Sequence, residues 1–238
     1  MKNTIAAVFF DMGSTLSLQN PAREDLLLSF LAERGHQRSL SDIRRALLMA
    51  DVWWHRWAAE TPFAWRNEET RAALRRQYRD TFLAALDLAN HDGLQEALMD
   101  LFRTSVMRRH NALFPDVMPA LHALRARGLR LAIVSNWDES LNSHCDDLGL
   151  TPLFDTIVGS LYVGREKPDP RIFHIALERL ALGPEQVMHV GDMYPSDVVG
   201  ARRAGIRPIL LDRYDLQPDV DCLRVRNLEQ ILPLLPSG

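Results

Sequence analysis

From residue 115 onward, short apolar runs rich in β-forming residues alternate with amphipathic helical patterns. LRLAIVSN and QVMHVGD are examples of the runs, and DPRIFHIALERLAL is an example of the helical pattern. Such alternation with short connections is typical of βαβ units, in which helices cover both faces of a parallel sheet. One further run of the same kind, TIAAVFF at residues 4–10, stands far upstream. The alternation therefore predicts an α/β fold with a Rossmann-like parallel sheet. The N-terminal strand would join this sheet although it lies more than a hundred residues earlier in the sequence.

The stretch between these two parts has a helical period. Apolar residues recur at every third or fourth position in EDLLLSFLAERG, SDIRRALLMADVWWHRWAAE and EETRAALRRQYRDTFLAALDLA. Ser39 or Ser41 would cap the second helix, and Gly35 would end the first. Because the N-terminal strand needs partners in the later sheet, we interpret this stretch as an insertion. We expect an α/β core over residues 1–17 and 111–238 and an inserted all-helical cap domain over residues 18–110.

Charge and cysteine content restrict the partners. The formal net charge of −3 offers no electrostatic basis for binding nucleic acid or an acidic membrane. No run approaches 18 uncharged apolar residues, and Asp11 interrupts the N-terminal run before a signal peptide could form. Two cysteines, Cys145 and Cys222, cannot build a disulfide scaffold. We expect a cytoplasmic protein that acts on a small molecule, with its oligomeric state open between monomer and homodimer.

Polar side chains stand where the predicted strands end. In open parallel sheets, ligands bind beyond the carboxyl ends of the strands. A single aspartate at a strand end is better explained as a helix cap or turn former, but together these residues predict a site. The set comprises Asp11, Ser135, Asn136, Lys167, Asp192 and Asp197. The chain has only two lysines, Lys2 and Lys167, so its single internal lysine belongs to this set.

These residues resemble the motifs of the haloacid dehalogenase-like (HAD) hydrolase superfamily. Asp11 through Thr15 is similar to the first motif, Ser135 to the second, Lys167 to the third and GDMYPSD at residues 191–197 to the fourth. The resemblance covers residues 4–17 and 113–213, and it implies a helical cap of the type inserted after the first motif. It also implies phosphoryl transfer through a covalent aspartyl intermediate.

The resemblance assigns roles to individual residues. Asp11 would be the nucleophile. Mg²⁺ would be held by the side chains of Asp11 and Asp192 and by the backbone carbonyl of Gly13. Asp197 would orient those ligands or a metal-bound water. Lys167 would neutralise the charge between nucleophile and phosphate.

The phosphoryl group would be gripped by hydroxyl groups and backbone amides around the nucleophile. The catalytic set implied by the resemblance is Asp11, Ser135, Lys167 and Asp192. The substrate contacts it implies are Met12, Gly13, Thr15, Ser135, Asn136, Trp137 and Lys167.

Gly13 departs from the family pattern. Typical phosphatases of the superfamily carry a second aspartate there as general acid and base, a function worth about 10²- to 10⁴-fold in rate. Ser14 likewise stands where a glycine is usual. The departure leaves open a slow or selective phosphatase, which would favour leaving groups that need little protonation or would borrow an acid from the cap or from Asp138.

Two other activities compete with the phosphatase. A C–halogen hydrolase needs no acid, but the dehalogenase members usually carry a tyrosine where this chain has Gly13. Cleavage of C–P bonds needs a cap lysine, and none occurs between Lys2 and Lys167. A low-activity phosphate-binding regulatory module is the non-enzymatic alternative. We predict a Mg²⁺-dependent phosphatase acting on a small phosphorylated metabolite.

Three features of the helical stretch favour structural explanations. Trp53 and Trp57 lie one helical turn apart, which favours core packing over substrate contact. Arg71, Arg75 and Arg79 form a stripe downstream of two glutamates, which favours a solvated face over an anion site. MRRH at residues 107–110 is interpreted as a helix C-terminus.

Overall fold

The computed structural model describes residues 5–91, 93–105, 110–138 and 140–235. The chain divides into two compact units, one formed by Met1–Leu18 with Ala112–Gly238 and the other by Gln19–Asn111. The strands are β1 (Ala7–Phe10), β2 (Ser17–Asn20), β3 (His110–Leu113), β4 (Arg130–Ser135), β5 (Thr156–Gly159), β6 (Val187–Gly191), β7 (Arg207–Leu211) and β8 (Leu223–Val225). The α-helices are α1 (Arg23–Ala32), α2 (Leu40–Glu60), α3 (Glu68–Ala84), α4 (Leu94–Ser105), α5 (Val117–Ala126), α6 (Leu141–Asp147), α7 (Ser160–Val163), α8 (Pro170–Leu180) and α9 (Val199–Arg203).

The first unit is built on a six-stranded sheet in the order β5-β4-β1-β6-β7-β8. All of its strand pairs are parallel. The upstream strand β1 lies at the centre, with Phe10 opposite Ile133 of β4 and Val190 of β6. The predicted Rossmann-like α/β fold is therefore confirmed.

Side chains of β1 alternate between two apolar cores, one on each face of the sheet. Val8 and Phe10 belong to the cluster that includes residues of α5 and α6. Ala7 and Phe9 belong to the cluster that includes residues of α8 and α9. A strand buried on both faces reads as a continuous apolar run, which is why residues 4–10 carry no polar alternation.

Among the described residues, the second unit contains the helices α1 to α4, together with residues 19–20 of β2 and 110–111 of β3. Its buried cluster draws residues from each of the four helices, including Leu31, Ile43, Phe82 and Leu98. Ser39, rather than Ser41, caps α2, because its hydroxyl accepts from Asp42 N and the Asp42 carboxylate accepts from Ser39 N. None of the helices in the described part of the chain is long and apolar enough to cross a membrane.

Several details differ from the sequence-based expectation. Trp53, Trp54 and Trp57 are half-buried and lie outside the buried cluster of their unit, so core packing does not account for them. The strands β2 and β3 pair as a two-stranded ribbon that the helical period did not predict. His110 begins β3 rather than ending a helix, and the rest of the MRRH segment lies outside the described residues.

The arginine stripe on α3 is paired with acids of the same helix. Arg71 Nη2 lies 2.8 Å from Glu68 Oε2, and Arg75 Nη1 lies 3.6 Å from Glu68 Oε1. Arg79 pairs with the adjacent Asp80 at 2.7 Å. The Arg71 and Arg75 side chains are 38% and 53% exposed and fit the solvated-face interpretation, whereas the Arg79 side chain is only 13% exposed and does not.

Candidate active site

The sheet topology brings the strand-end residues together. β1 lies between β4 and β6, so Asp11, which follows β1, stands beside Ser135 at the end of β4 and Asp192 just after β6. The main-chain N–H of Asp11 donates to the carbonyl of Val190 at 2.9 Å and continues the ladder for one residue. The carboxyl ends of three adjacent parallel strands thus form one polar edge.

Asp11 is held through one of its two carboxylate oxygens. Ser135 Oγ donates to Asp11 Oδ1 at 2.9 Å, and Lys167 Nζ donates to the same oxygen at 2.5 Å. Oδ2 receives no hydrogen bond from any residue that the structure describes. Asp11 is 8% exposed, so the residue is buried but still accessible to solvent. One oxygen is oriented and the other is available, the arrangement that a carboxylate nucleophile requires.

Lys167 bridges two carboxylates inside the site. Its side chain is 2% exposed, and its Nζ donates to Asp197 Oδ1 at 2.6 Å as well as to Asp11. Burial by itself would lower the pKa of this ammonium group, but the charges of Asp11 and Asp197 outweigh burial and raise the pKa. Lys167 is therefore a fixed positive charge between the carboxylates. The side-chain amide of Asn136 donates to the carbonyl of Lys167 and accepts from the N–H of Lys167.

Asp197 accepts three hydrogen bonds from the protein. It lies in the single π-helical turn Tyr194–Val198 and is 1% exposed. Besides Lys167, His189 Nε2 donates to Oδ1 at 3.0 Å, and Met193 N donates to Oδ2 at 3.0 Å. Burial opposes ionisation, but Lys167 and the His189 hydrogen bond outweigh it and lower the pKa of Asp197. A side chain at residue 191 would put a Cβ 2.2 Å from Asp197 Cγ, so this close approach requires Gly191.

Asp192 completes an acidic cluster. Its Oδ1 accepts from Thr15 Oγ1 at 3.1 Å. Burial, reinforced by the charges of Asp11 and Asp197, raises the pKa of Asp192 well above its ordinary value. One carboxylate oxygen from each of the three aspartates lies within 4.8 Å of the others. Three such acids against one ammonium leave an excess of negative charge, and hard oxygen ligands of this kind fit Mg²⁺.

The chain turns sharply after Asp11. Leu16 N and Ser17 N both donate to the carbonyl of Met12, and Ser14 takes the left-handed conformation with φ of 59°. The Met12 side chain is fully buried in an apolar core, so only its main chain is available to a ligand. Thr15 is also fully buried, and its hydroxyl is engaged with Asp192.

Trp137 stands next to Gly13. A Cβ on Gly13 would lie 3.5 Å from Cζ3 of the indole, an ordinary van der Waals contact. The indole stacks on His144 with ring centroids 4.8 Å apart, and Nε1 donates to Ser140 Oγ at 3.1 Å. Ser160 Oγ accepts from the Trp137 N–H at 3.1 Å, so both the ring and the main chain of Trp137 are fixed.

The structure adds contacts that sequence reasoning missed. Arg213 donates to the carbonyl of Thr15 at 2.8 Å and to both oxygens of Asp116 at 3.0 Å, with its guanidinium 3.8 Å over the ring of Phe114. Arg213 closely follows β7, so extending the strand-end argument to that strand would have found it. His189 carries another signal, a polar residue inside an otherwise apolar strand.

Comparison with known proteins relates this site to a hydrolase family. The family model described as "haloacid dehalogenase-like hydrolase" matches residues 5–205. The mouse "haloacid dehalogenase-like hydrolase domain-containing protein 3" is 44% identical over 91 residues, which are 38% of this chain and 36% of that protein. A phosphoserine phosphatase of Thermus thermophilus is 37% identical over 128 residues, which are 52% of this chain and 51% of that protein. The chain thus aligns with about half or less of the length of these relatives.

A solved structure extends the likeness to the whole chain. The magnesium-bound crystal structure of YfnB from Bacillus subtilis has a TM-score of 0.66 and covers 98% of this chain and 100% of that one. At 20% sequence identity, this likeness shows the shared fold.

Proposed function

The chain belongs to the haloacid dehalogenase-like hydrolase family, and from that premise we propose that it is a Mg²⁺-dependent phosphatase acting through an aspartyl-phosphate. Its substrate would be a small phosphorylated metabolite. In this proposal residues 1–17 and 111–238 are the catalytic core, and residues 18–110 are a helical cap that contributes substrate selection. The phosphoserine phosphatase name of the Thermus relative supports the choice of phosphate esters as substrates.

The observation that carries the proposal is the asymmetry of Asp11. Ser135 and Lys167 orient Oδ1 while Oδ2 receives no bond from the described residues. Oδ2 would attack phosphorus, the P–O bond to the leaving group would break, and a water would then release inorganic phosphate from the acyl phosphate. Lys167 would offset the repulsion between the carboxylate and the phosphoryl oxygens throughout.

The metal would be held by Asp11, Asp192 and the carbonyl of Gly13. The excess of acidic groups favours such a cation, and the magnesium in the YfnB crystal structure supports its identity. When bound, Mg²⁺ supplies charge stabilisation to the phosphoryl oxygens. Asp197 would hold Lys167 through Oδ1, and its Oδ2, which accepts only from Met193 N, would contribute to the metal site directly or through a metal-bound water.

The phosphoryl oxygens would be met by the main-chain amides of Met12, Gly13 and Thr15, since Ser14 N already donates to the carbonyl of Ser17. Ser135 would join them by turning its single hydroxyl hydrogen from Asp11 Oδ1 to the phosphoryl group. Asn136 would contribute through the Lys167 main chain that it holds, and Trp137 would border the site beside Gly13. Because Gly13 supplies no acid, we expect slow turnover of alkyl phosphates and faster turnover of aryl or acyl phosphates, whose leaving groups depart without a proton.

The test is a panel of phosphate esters and 2-haloacids, assayed with Mg²⁺ and with EDTA, on the native chain and on Asp11→Asn. We expect phosphate release that needs Mg²⁺ and that Asp11→Asn abolishes while the circular dichroism spectrum is retained. Halide release from the haloacids would instead identify a dehalogenase. Stoichiometric, Mg²⁺-dependent vanadate binding without turnover on any substrate would identify a phosphate-binding module and refute the proposal.

A further inference from the structure

His189 is a polar residue in the middle of a fully buried strand. All five residues of β6 are buried, and the imidazole is 0% exposed. Its ring meets Phe173 edge-on with centroids 4.9 Å apart, and in the strand register it lies opposite Phe9. Burying an imidazole among apolar side chains is costly unless it makes a hydrogen bond. A valine or isoleucine would suit the position, so the histidine calls for a specific explanation.

The hydrogen bond that His189 makes leads directly to the candidate active site. Its Nε2 lies 3.0 Å from Asp197 Oδ1, the same oxygen that Lys167 Nζ contacts at 2.6 Å. Its Nδ1 has no hydrogen-bond partner among the residues that the structure describes. A hydrogen on Nδ1 would therefore be a buried donor without an acceptor, whereas a hydrogen on Nε2 has one. The imidazole is the neutral tautomer that donates from Nε2.

The Asp197 carboxylate is thus fixed from both ends. Met193 N holds Oδ2 from the main chain, and His189 holds Oδ1 from the strand. Without the bond from His189, only Met193 N and Lys167 itself would restrain rotation about the Cβ–Cγ bond of Asp197, and Oδ1 could shift away from Lys167. Lys167 Nζ would then keep only its contact with Asp11.

We propose that His189 is a positioning residue, whose Nε2–H orients Asp197 so that Asp197 holds the Lys167 ammonium group against Asp11. This arrangement is a relay of three side chains, in which His189 itself contacts neither substrate nor Asp11. Its consequence for Lys167 is independent of the enzymatic activity, and its consequence for turnover rests on the proposed phosphatase function.

The lysine content of the chain provides a selective probe. Lys2 and Lys167 are the only lysines, so ¹⁵N labelling at the lysine side chain yields two ammonium resonances. Lys2→Arg leaves one of them and assigns it to Lys167. Two amide variants form a matched pair: the nitrogen of His189→Gln reaches the position of Nε2, and the nitrogen of His189→Asn reaches only that of Nδ1.

We expect the Lys167 resonance to stay at its native position in His189→Gln and to shift in His189→Asn. Asp197→Ala provides the reference shift for a lost anchor, because it removes the carboxylate that Lys167 contacts. The proposal is overturned if both amide variants leave the resonance unchanged, or if both shift it equally, because packing alone would then explain the effect. If His189→Asn does not fold, His189→Gln decides alone, and a shift as large as that of Asp197→Ala contradicts the proposal.

Kinetics give a second readout. On the best phosphate ester of the panel, we expect kcat to fall about 10- to 100-fold in His189→Asn, as for other outer-shell partners of active-site ligands. KM should change little, and His189→Gln should recover most of kcat. If kcat falls in His189→Asn while the Lys167 resonance stays at its native position, the proposed role of His189 is wrong. If no variant and no native sample turns over any ester, the phosphatase proposal fails while the resonance still tests His189.

Discussion

The side chain of Asn136 and the main chain of Lys167 form a reciprocal pair of hydrogen bonds. Asn136 Nδ2 donates to the Lys167 carbonyl at 2.9 Å, and Lys167 N donates to Asn136 Oδ1 at 2.6 Å. The residue that follows β4 thereby fixes the loop that carries the only internal lysine. Lys167 is held at its main chain by Asn136 and at its ammonium group by Asp11 and Asp197.

Replacing Asn136 should loosen this loop. Asn136→Ala removes both bonds, so we expect a loss of about 1 kcal/mol in the free energy of unfolding and faster exchange of the Lys167 amide hydrogen. Asn136→Asp is the matched control, because it keeps the acceptor for Lys167 N but cannot donate to the carbonyl. Urea unfolding and hydrogen exchange by NMR provide the measurements. Native exchange of the Lys167 amide in Asn136→Ala would show that the loop is held by other contacts.

Gly13→Asp should raise the turnover of simple alkyl phosphates. The new Cβ would lie 3.5 Å from Trp137 Cζ3, which is ordinary contact distance, so the backbone can accept a side chain. A carboxyl group there would supply the missing acid and base, with an upper limit of about 10²- to 10⁴-fold. Aryl phosphates, whose leaving groups need no proton, should gain less.

The control for this substitution is Gly13→Asn, which has the same shape and no acid. Steady-state rates on alkyl and aryl phosphates, measured with saturating Mg²⁺, compare the three proteins. If Gly13→Asp and Gly13→Asn have the same rates on every ester, the acid and base account of Gly13 is wrong.

Ser14→Gly should stabilise the protein. Ser14 is exposed and has a φ of 59°, a left-handed conformation that disfavours any residue with a Cβ. Removing the Cβ should relieve about 1 kcal/mol of that cost. Ser14→Ala keeps the Cβ and serves as the control. Urea unfolding should give a higher midpoint at an unchanged slope for the glycine variant only; equal midpoints for the two variants would refute a conformational origin.

Tyr78 should make stability sensitive to alkaline pH. Its hydroxyl donates to Asp51 Oδ1 at 2.6 Å and accepts from Arg23 Nη1 at 2.8 Å. Burial raises the pKa of Tyr78 well above 10, and the negative charge of Asp51 raises it further. The positive charge of Arg23 lowers this pKa, but by less. The unfolded chain therefore loses this proton first, at a pH of about 10. The stability that Tyr78 contributes is complete below that pH and is lost as the pH rises towards the folded-state pKa.

The measurement is the free energy of unfolding in urea at pH 8 and pH 11, for the native chain and for Tyr78→Phe. The native chain should lose more stability across this interval than the variant, which has no phenol to ionise at that position. Parallel losses in the two proteins would show that Tyr78 titrates normally.

The sequence predicted the fold because hydrophobic period is a local property. Apolar runs that alternate with helical patterns identified β4 and β6, and the continuous apolar run at residues 4–10 identified β1 as a strand buried on both faces. The same period did not predict β2, β3 or β8, whose residues are mostly half-buried or exposed and form no continuous apolar run. The helical period also places Trp53 and Trp57 on one face of α2, but it does not predict which residues that face contacts.

The sequence by itself also determined which residues meet at the polar edge, because parallel strands end on the same side of a sheet. Asp11, Ser135 and Asp192 could be grouped on that argument alone. Only the tertiary structure decided how they are joined: Lys167 shared between Asp11 and Asp197, Thr15 engaged with Asp192, and His189 behind Asp197. Hydrogen bonds between side chains far apart in sequence depend on strand register and rotamers, which packing sets and local pattern does not encode.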